Sequence, residues 1–64
     1  MILRFMTKRT GNGWRRYLAL DTEKKVFTRD CPRMIMDGEE ITTKALRNIQ
    51  AACENDGWKE VDGF

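Results

Sequence analysis

Ile41-Thr42-Thr43-Lys44-Ala45-Leu46-Arg47-Asn48-Ile49-Gln50-Ala51-Ala52-Cys53-Glu54-Asn55-Asp56-Gly57 is the stretch that decides the fold. Ile41, Ala45, Leu46, Ile49, Ala52 and Cys53 form one apolar stripe on a 3.6-residue period. Thr43, Lys44, Arg47, Asn48, Gln50, Ala51 and Glu54 cover the opposite side, so the stretch reads as an amphipathic helix. Its start has three readings. Asp37 caps it with Glu40 as the reciprocal partner three residues on, or Thr42 or Thr43 caps it a turn later. Gly57 ends it, because glycine takes the left-handed conformation after a helix without a steric penalty.

On the N-terminal side of the helix the period changes from 3.6 to 2. In residues 2–9, Leu3 and Phe5 fall on one face and Arg4, Met6 and Lys8 on the other, as in a strand. Thr10-Gly11-Asn12-Gly13 is a turn, since Gly and Asn tolerate positive φ. Residues 14–21 form a second strand with Trp14, Arg16, Leu18 and Leu20 on one face and Arg15, Tyr17 and Ala19 on the other. Asp21-Thr22-Glu23-Lys24-Lys25 is a hairpin tip, and Val26-Phe27-Thr28-Arg29 is a third strand whose inward residue is either Val26 or Phe27. Pro32 stops that strand, because proline cannot donate to a sheet ladder. Met34-Ile35-Met36 is a fourth, edge strand or a segment across the end of the core, with a partner site as a less favoured reading.

Beyond the helix, Trp58 folds back onto the core, and residues 58–62 alternate as a short C-terminal strand or an extended tail. The expected fold is therefore a single α+β domain over residues 1–64: a three- to four-stranded antiparallel sheet with one amphipathic helix packed on one face.

Composition limits what such a domain does. The chain has 64 residues and contains no histidine and no serine. That removes Ser-His and Cys-His nucleophilic catalysis. Two cysteines without histidine do not close a tetrahedral zinc shell, and Gly11-Asn12-Gly13 lacks the spacing and the lysine of a phosphate loop. The expectation is a non-enzymatic module with no cofactor, no metal and no catalytic residue. No apolar run reaches the ~18 residues of a membrane span, and Met1–Lys8 is too short and too charged for a signal-peptide core. The expected compartment is the cytoplasm, with no membrane partner and with Cys31 and Cys53 as free thiols; export would open the alternative of a disulfide between them. Cys53 lies on the apolar stripe and reads as core. Cys31 has an arginine two residues to either side, which favours a thiolate, but no histidine is present to serve as its base.

Charge is split along the chain. Residues 1–33 carry nine Lys and Arg against three Asp and Glu, and residues 34–64 carry three against seven. The sheet is basic, and the helix with its tail is acidic. A helix on one sheet face leaves the other face open, and that face should carry Arg4, Met6, Lys8, Arg15, Tyr17 and either Phe27 or the Lys25 and Arg29 pair. Cations interleaved with an aromatic ring suit nucleic acid: the cations neutralise phosphates and the ring stacks on a base. On this reading Arg4, Lys8, Arg9, Arg15, Arg16 and Arg29 hold phosphates and Tyr17 stacks, with Trp14 open between core and surface. An acidic protein surface fits the same residues. So does a plainly solvated sheet, since lysine and arginine on strands discourage edge-to-edge aggregation. The acidic half of a second copy would also complement the basic sheet, which makes a homodimer a further partner class.

The stretch Lys8-Arg9-Thr10-Gly11-Asn12-Gly13-Trp14-Arg15-Arg16-Tyr17 is loosely similar to the first hairpin of the arm-type DNA-binding domain of tyrosine recombinases. In that family three antiparallel strands backed by a C-terminal helix lay a basic sheet in the major groove, and the resemblance implies the same use here. It is confined to this hairpin and contains no diagnostic motif of the family. The Met34–Glu40 segment and the Trp58 tail depart from the family's pattern. The alternative is a protein-interaction or inhibitor module docking on an acidic partner, of the kind met among small phage and mobile-element proteins.

Overall fold

The computed structural model describes residues 1–9, 11–30 and 38–63. Its elements are β1 (Ile2–Thr7), β2 (Tyr17–Asp21), β3 (Val26–Arg29), β4 (Glu39–Ile41), α1 (Thr43–Asn55) and β5 (Lys59–Glu60). The five strands form one sheet in the order β4-β1-β2-β3-β5. β1 and β3 pair antiparallel to β2, whereas β4 runs parallel to β1 and β5 parallel to β3.

The α+β class is as the sequence implies, but the sheet is mixed and five-stranded rather than antiparallel and three- to four-stranded. The reason lies in the connection. β1, β2 and β3 follow one another directly and pair antiparallel, whereas β4 with β1 and β5 with β3 are not consecutive in the chain, and parallel neighbours need such long crossovers. The two outer strands are Glu39-Glu40-Ile41 and Lys59-Glu60. They are short and largely charged, as protected sheet edges are, so β4 carries almost no alternating pattern to read, whereas the alternation over residues 58–62 does contain a strand, at Lys59–Glu60.

The core lies between α1 and one sheet face. Leu18, Leu20, Phe27, Leu46 and Cys53 are buried, and Leu3, Phe5, Ile41, Ile49 and Trp58 pack against them. Register explains the set: Leu3 pairs with Leu20, Phe5 with Leu18 and Leu20 with Phe27, so their side chains share one face. Phe27, not Val26, is the inward residue of β3. Ala52, assigned to the apolar stripe, is exposed.

α1 begins at the later of the capping alternatives. Thr42 has extended backbone, and its hydroxyl accepts a hydrogen bond from the Ala45 N–H at 3.1 Å. Glu40, expected to close a capping box with Asp37, is in β4 instead, where Glu39–Ile41 pairs with the edge of β1. Asp37 itself lies outside the described residues, as do Thr10, Cys31 and Met34–Met36. At the other end the Trp58 N–H donates to the Cys53 carbonyl at 3.0 Å and the Gly57 N–H to the Glu54 carbonyl at 3.1 Å, with Gly57 at φ +81°. This is a Schellman ending, and it turns Trp58 back onto the core. Thr42→Ala is expected to cost about 1 kcal/mol, seen as a lower urea midpoint at unchanged slope. Thr43→Ala, at an exposed position without the capping bond, should leave the midpoint in place.

Candidate nucleic-acid interface

The β1–β2 connection is where the sequence reading and the structure diverge most. Strand pairing stops at Met6 opposite Tyr17, so residues 8–9 and 14–16 are not strand. Thr7 closes the pairing. Its N–H donates to the Arg16 carbonyl at 3.0 Å, and its hydroxyl accepts from the Arg16 N–H at 2.9 Å. A side chain thus takes the place of one rung of the ladder, and the chain beyond it is released into a loop. Gly13, at φ +83°, and the Trp14 N–H donating to Asn12 Oδ1 at 3.3 Å shape the return.

Release from the sheet puts Trp14 on the surface with 72% of its area exposed. It is not core, and it does not share the face of Leu18 and Leu20. A hollow of about 450 Å³ lies beside it, lined by Gly13, Trp14, Arg15, Arg16, Tyr17 and Asp30. The last of these enters from the end of β3. Its N–H donates to the Tyr17 carbonyl at 3.0 Å, and its carboxylate lies 3.8 Å from Arg16 Nε. Asp30 also has φ +54°, a left-handed conformation that few residues besides Gly, Asn and Asp adopt readily. Sequence reasoning passed over Asp30; the one available signal was an Asp at a strand end.

The basic residues separate into two groups. Arg15 donates to the Met6 sulfur at 3.1 Å and lies 3.8 Å from Glu40. Arg16 is set against Asp30, and Arg29 against Glu60 at 2.5 Å. Exposed pairs of this kind contribute only about 0–1 kcal/mol each to stability, yet they do lower the local positive field. Lys8 and Arg9 are exposed and have no acidic group within 4.0 Å among the described residues. The Arg9 guanidinium approaches Gly13, with Nε and Nη2 3.6 Å from where a Cβ on that glycine would sit. Arg9 therefore stands at the rim of the hollow.

Arg4, Met6 and Tyr17 lie on the sheet face away from α1, as the alternation requires. That face is not an open basic platform. Ala19 at its centre is fully buried, and Thr28 beside it is 2% exposed. Asp21 and Glu40 bring acidic groups to the same face, while Arg29 lies on the helix side with Glu60. Lys25 is in the β2–β3 turn at φ +54° and not on a strand. Of the residues assigned to the interface, the structure gathers Arg9, Arg15, Arg16 and Tyr17 at one end of the sheet, near Lys8, and leaves Arg4 and Arg29 apart from the hollow.

Cys53 is a free thiol facing the core. Burial pushes its pKa up, and the nearby Asp56 and Glu54 carboxylates push the same way, so the neutral form is favoured. Among the described residues no group of three or more His, Cys, Asp and Glu is placed to hold a metal ion, and no helix is long and apolar enough to cross a membrane. No family model matches the chain, and no curated protein or solved structure matches it either.

Proposed function

We propose that the protein is a small binding module that contacts nucleic acid through the β1–β2 loop and not through the broad sheet face. The observation that carries this reading is the exposed Trp14 beside Arg15, Arg16 and Tyr17, with Lys8 and Arg9 adjacent and without acidic neighbours among the described residues. Aromatic rings supply stacking surface, and the Lys8 and Arg9 side chains supply charge that no described acidic residue neutralises. A protein partner is the second reading. Trp, Tyr and Arg are also the residue types that anchor protein interfaces, and the same cluster holds all three.

Fluorescence anisotropy with labelled oligonucleotides separates the two. Affinity in the micromolar range at ~50 mM salt, falling by orders of magnitude by ~200 mM, is expected if phosphates are engaged. Absence of binding to single-stranded and duplex probes at the lower salt would overturn the nucleic-acid reading.

A further inference from the structure

We infer that the hollow beside Trp14 takes one unpaired guanine base of a single strand, with Asp30 reading its Watson–Crick edge and Lys8 and Arg9 holding the flanking phosphates. This rests on the nucleic-acid reading above and makes it specific.

The argument starts from the mixed chemistry of the hollow. A phosphate site is lined by cations and N–H groups, but Asp30 brings a carboxylate to this wall. A phosphate is repelled there and belongs instead at Lys8 and Arg9 outside. A cationic side chain would suit the carboxylate and the rings, but Arg15 and Arg16 line the same space and oppose it. A neutral, flat group with hydrogen-bond donors satisfies every wall. Trp14 and Tyr17 offer it ring faces, and the carboxylate accepts its N–H groups. The volume of about 450 Å³ falls within the ~300–1,000 Å³ typical of ligand sites.

An ionised carboxylate is an acceptor only, and its two oxygens call for two adjacent donors. Among the common bases, guanine alone has neighbouring donors on its Watson–Crick edge, the N1–H and the N2 amino group. Adenine sets one donor beside one acceptor there, cytosine one donor beside two acceptors, and thymine flanks one donor with two acceptors. In a duplex this edge is occupied by the partner base, so the site requires a single strand. Asp30 is positioned for the task. Its backbone is tied to Tyr17, and Arg16 Nε lies 3.8 Å from Oδ1, beyond hydrogen-bond distance.

The test uses labelled oligothymidylates of one length carrying a single central guanine, hypoxanthine or adenine, with the guanine strand also annealed to its complement. The ribo-strand of the same sequence shows which sugar is preferred. Hypoxanthine lacks only the N2 amino group. The guanine strand is expected to bind about tenfold more tightly than the other two and than the duplex. Asp30→Asn tolerates the left-handed backbone and should erase that preference while leaving the salt-dependent affinity for oligothymidylate. Trp14→Phe, which retains a ring, should keep the preference, and Trp14→Ala should weaken every single strand about tenfold. Equal affinity for the three strands, or tighter binding of the duplex, would overturn the guanine site while leaving the nucleic-acid reading. No binding of any probe at ~50 mM salt would overturn both.

Discussion

Phe27→Ala is expected to leave most of the protein unfolded at 25 °C. The ring is 2% exposed and is the largest fully buried side chain among the described residues. It sits on β3 opposite Leu20, with β5 pairing on its other side, and it belongs to the cluster that includes Leu46 and Cys53 of α1. Truncating a buried phenylalanine removes about 3–5 kcal/mol, through lost transfer energy and the cavity left behind. A 64-residue chain at roughly 0.05–0.15 kcal/mol per residue has about 3–10 kcal/mol in all. The loss is therefore comparable to the whole. Urea melts followed by far-ultraviolet circular dichroism check it, with Val26→Ala as the companion. Val26 is half-buried on the other face of the same strand, so its truncation should cost far less. Similar midpoints for the two variants would mean that β3 faces the other way.

That comparison also marks how far the sequence can be read. The helix was legible because thirteen residues sustain one period and both of its ends carry chemical stops, a threonine hydroxyl and a left-handed glycine. The inward faces of β1 and β2 were legible because Leu3 with Phe5 and Leu18 with Leu20 recur at every second residue, whereas which residues pair across the strands was not. Val26-Phe27 did not resolve, because two adjacent apolar residues satisfy either face of a strand. β5 was legible only as one of two alternatives, a short strand or an extended tail, and β4 was illegible for a physical reason: the pairing of both depends on where the chain is delivered to the sheet, a tertiary fact, and edge strands of two or three mostly charged residues carry little pattern.

The site was legible in composition and not in arrangement. Nine basic residues in the first 33 announce a positive half, but a list of charges does not show which ones the fold cancels. Glu40, Asp30 and Glu60 come from three separate segments to meet Arg15, Arg16 and Arg29. Those meetings are long-range in sequence. Trp14 was ambiguous because period-2 counting carries it to the inner face of β2, whereas Thr7 ends the ladder before the strand reaches it.

The same cancellation decides which charges to reverse. Replacing Arg15 and Arg16 by glutamate would set like charges against Glu40 and Asp30 and remove the contact with the Met6 sulfur, so a loss of binding would be mixed with a loss of structure. Lys8→Glu with Arg9→Glu avoids this. Both side chains are exposed and have no acidic partner among the described residues, so the urea midpoint should shift by no more than about 0.5 kcal/mol. Affinity for a single strand at ~50 mM salt should fall about 100-fold, because two attractions become two repulsions. The salt dependence gives a second, independent reading. Each phosphate released from a single strand flattens the slope of log K against log salt by about 0.7, so losing two should flatten it by about 1.4. Weakened binding with an unchanged slope would mean that Lys8 and Arg9 shape the loop without touching phosphate. Unchanged binding would move the interface away from the β1–β2 loop altogether.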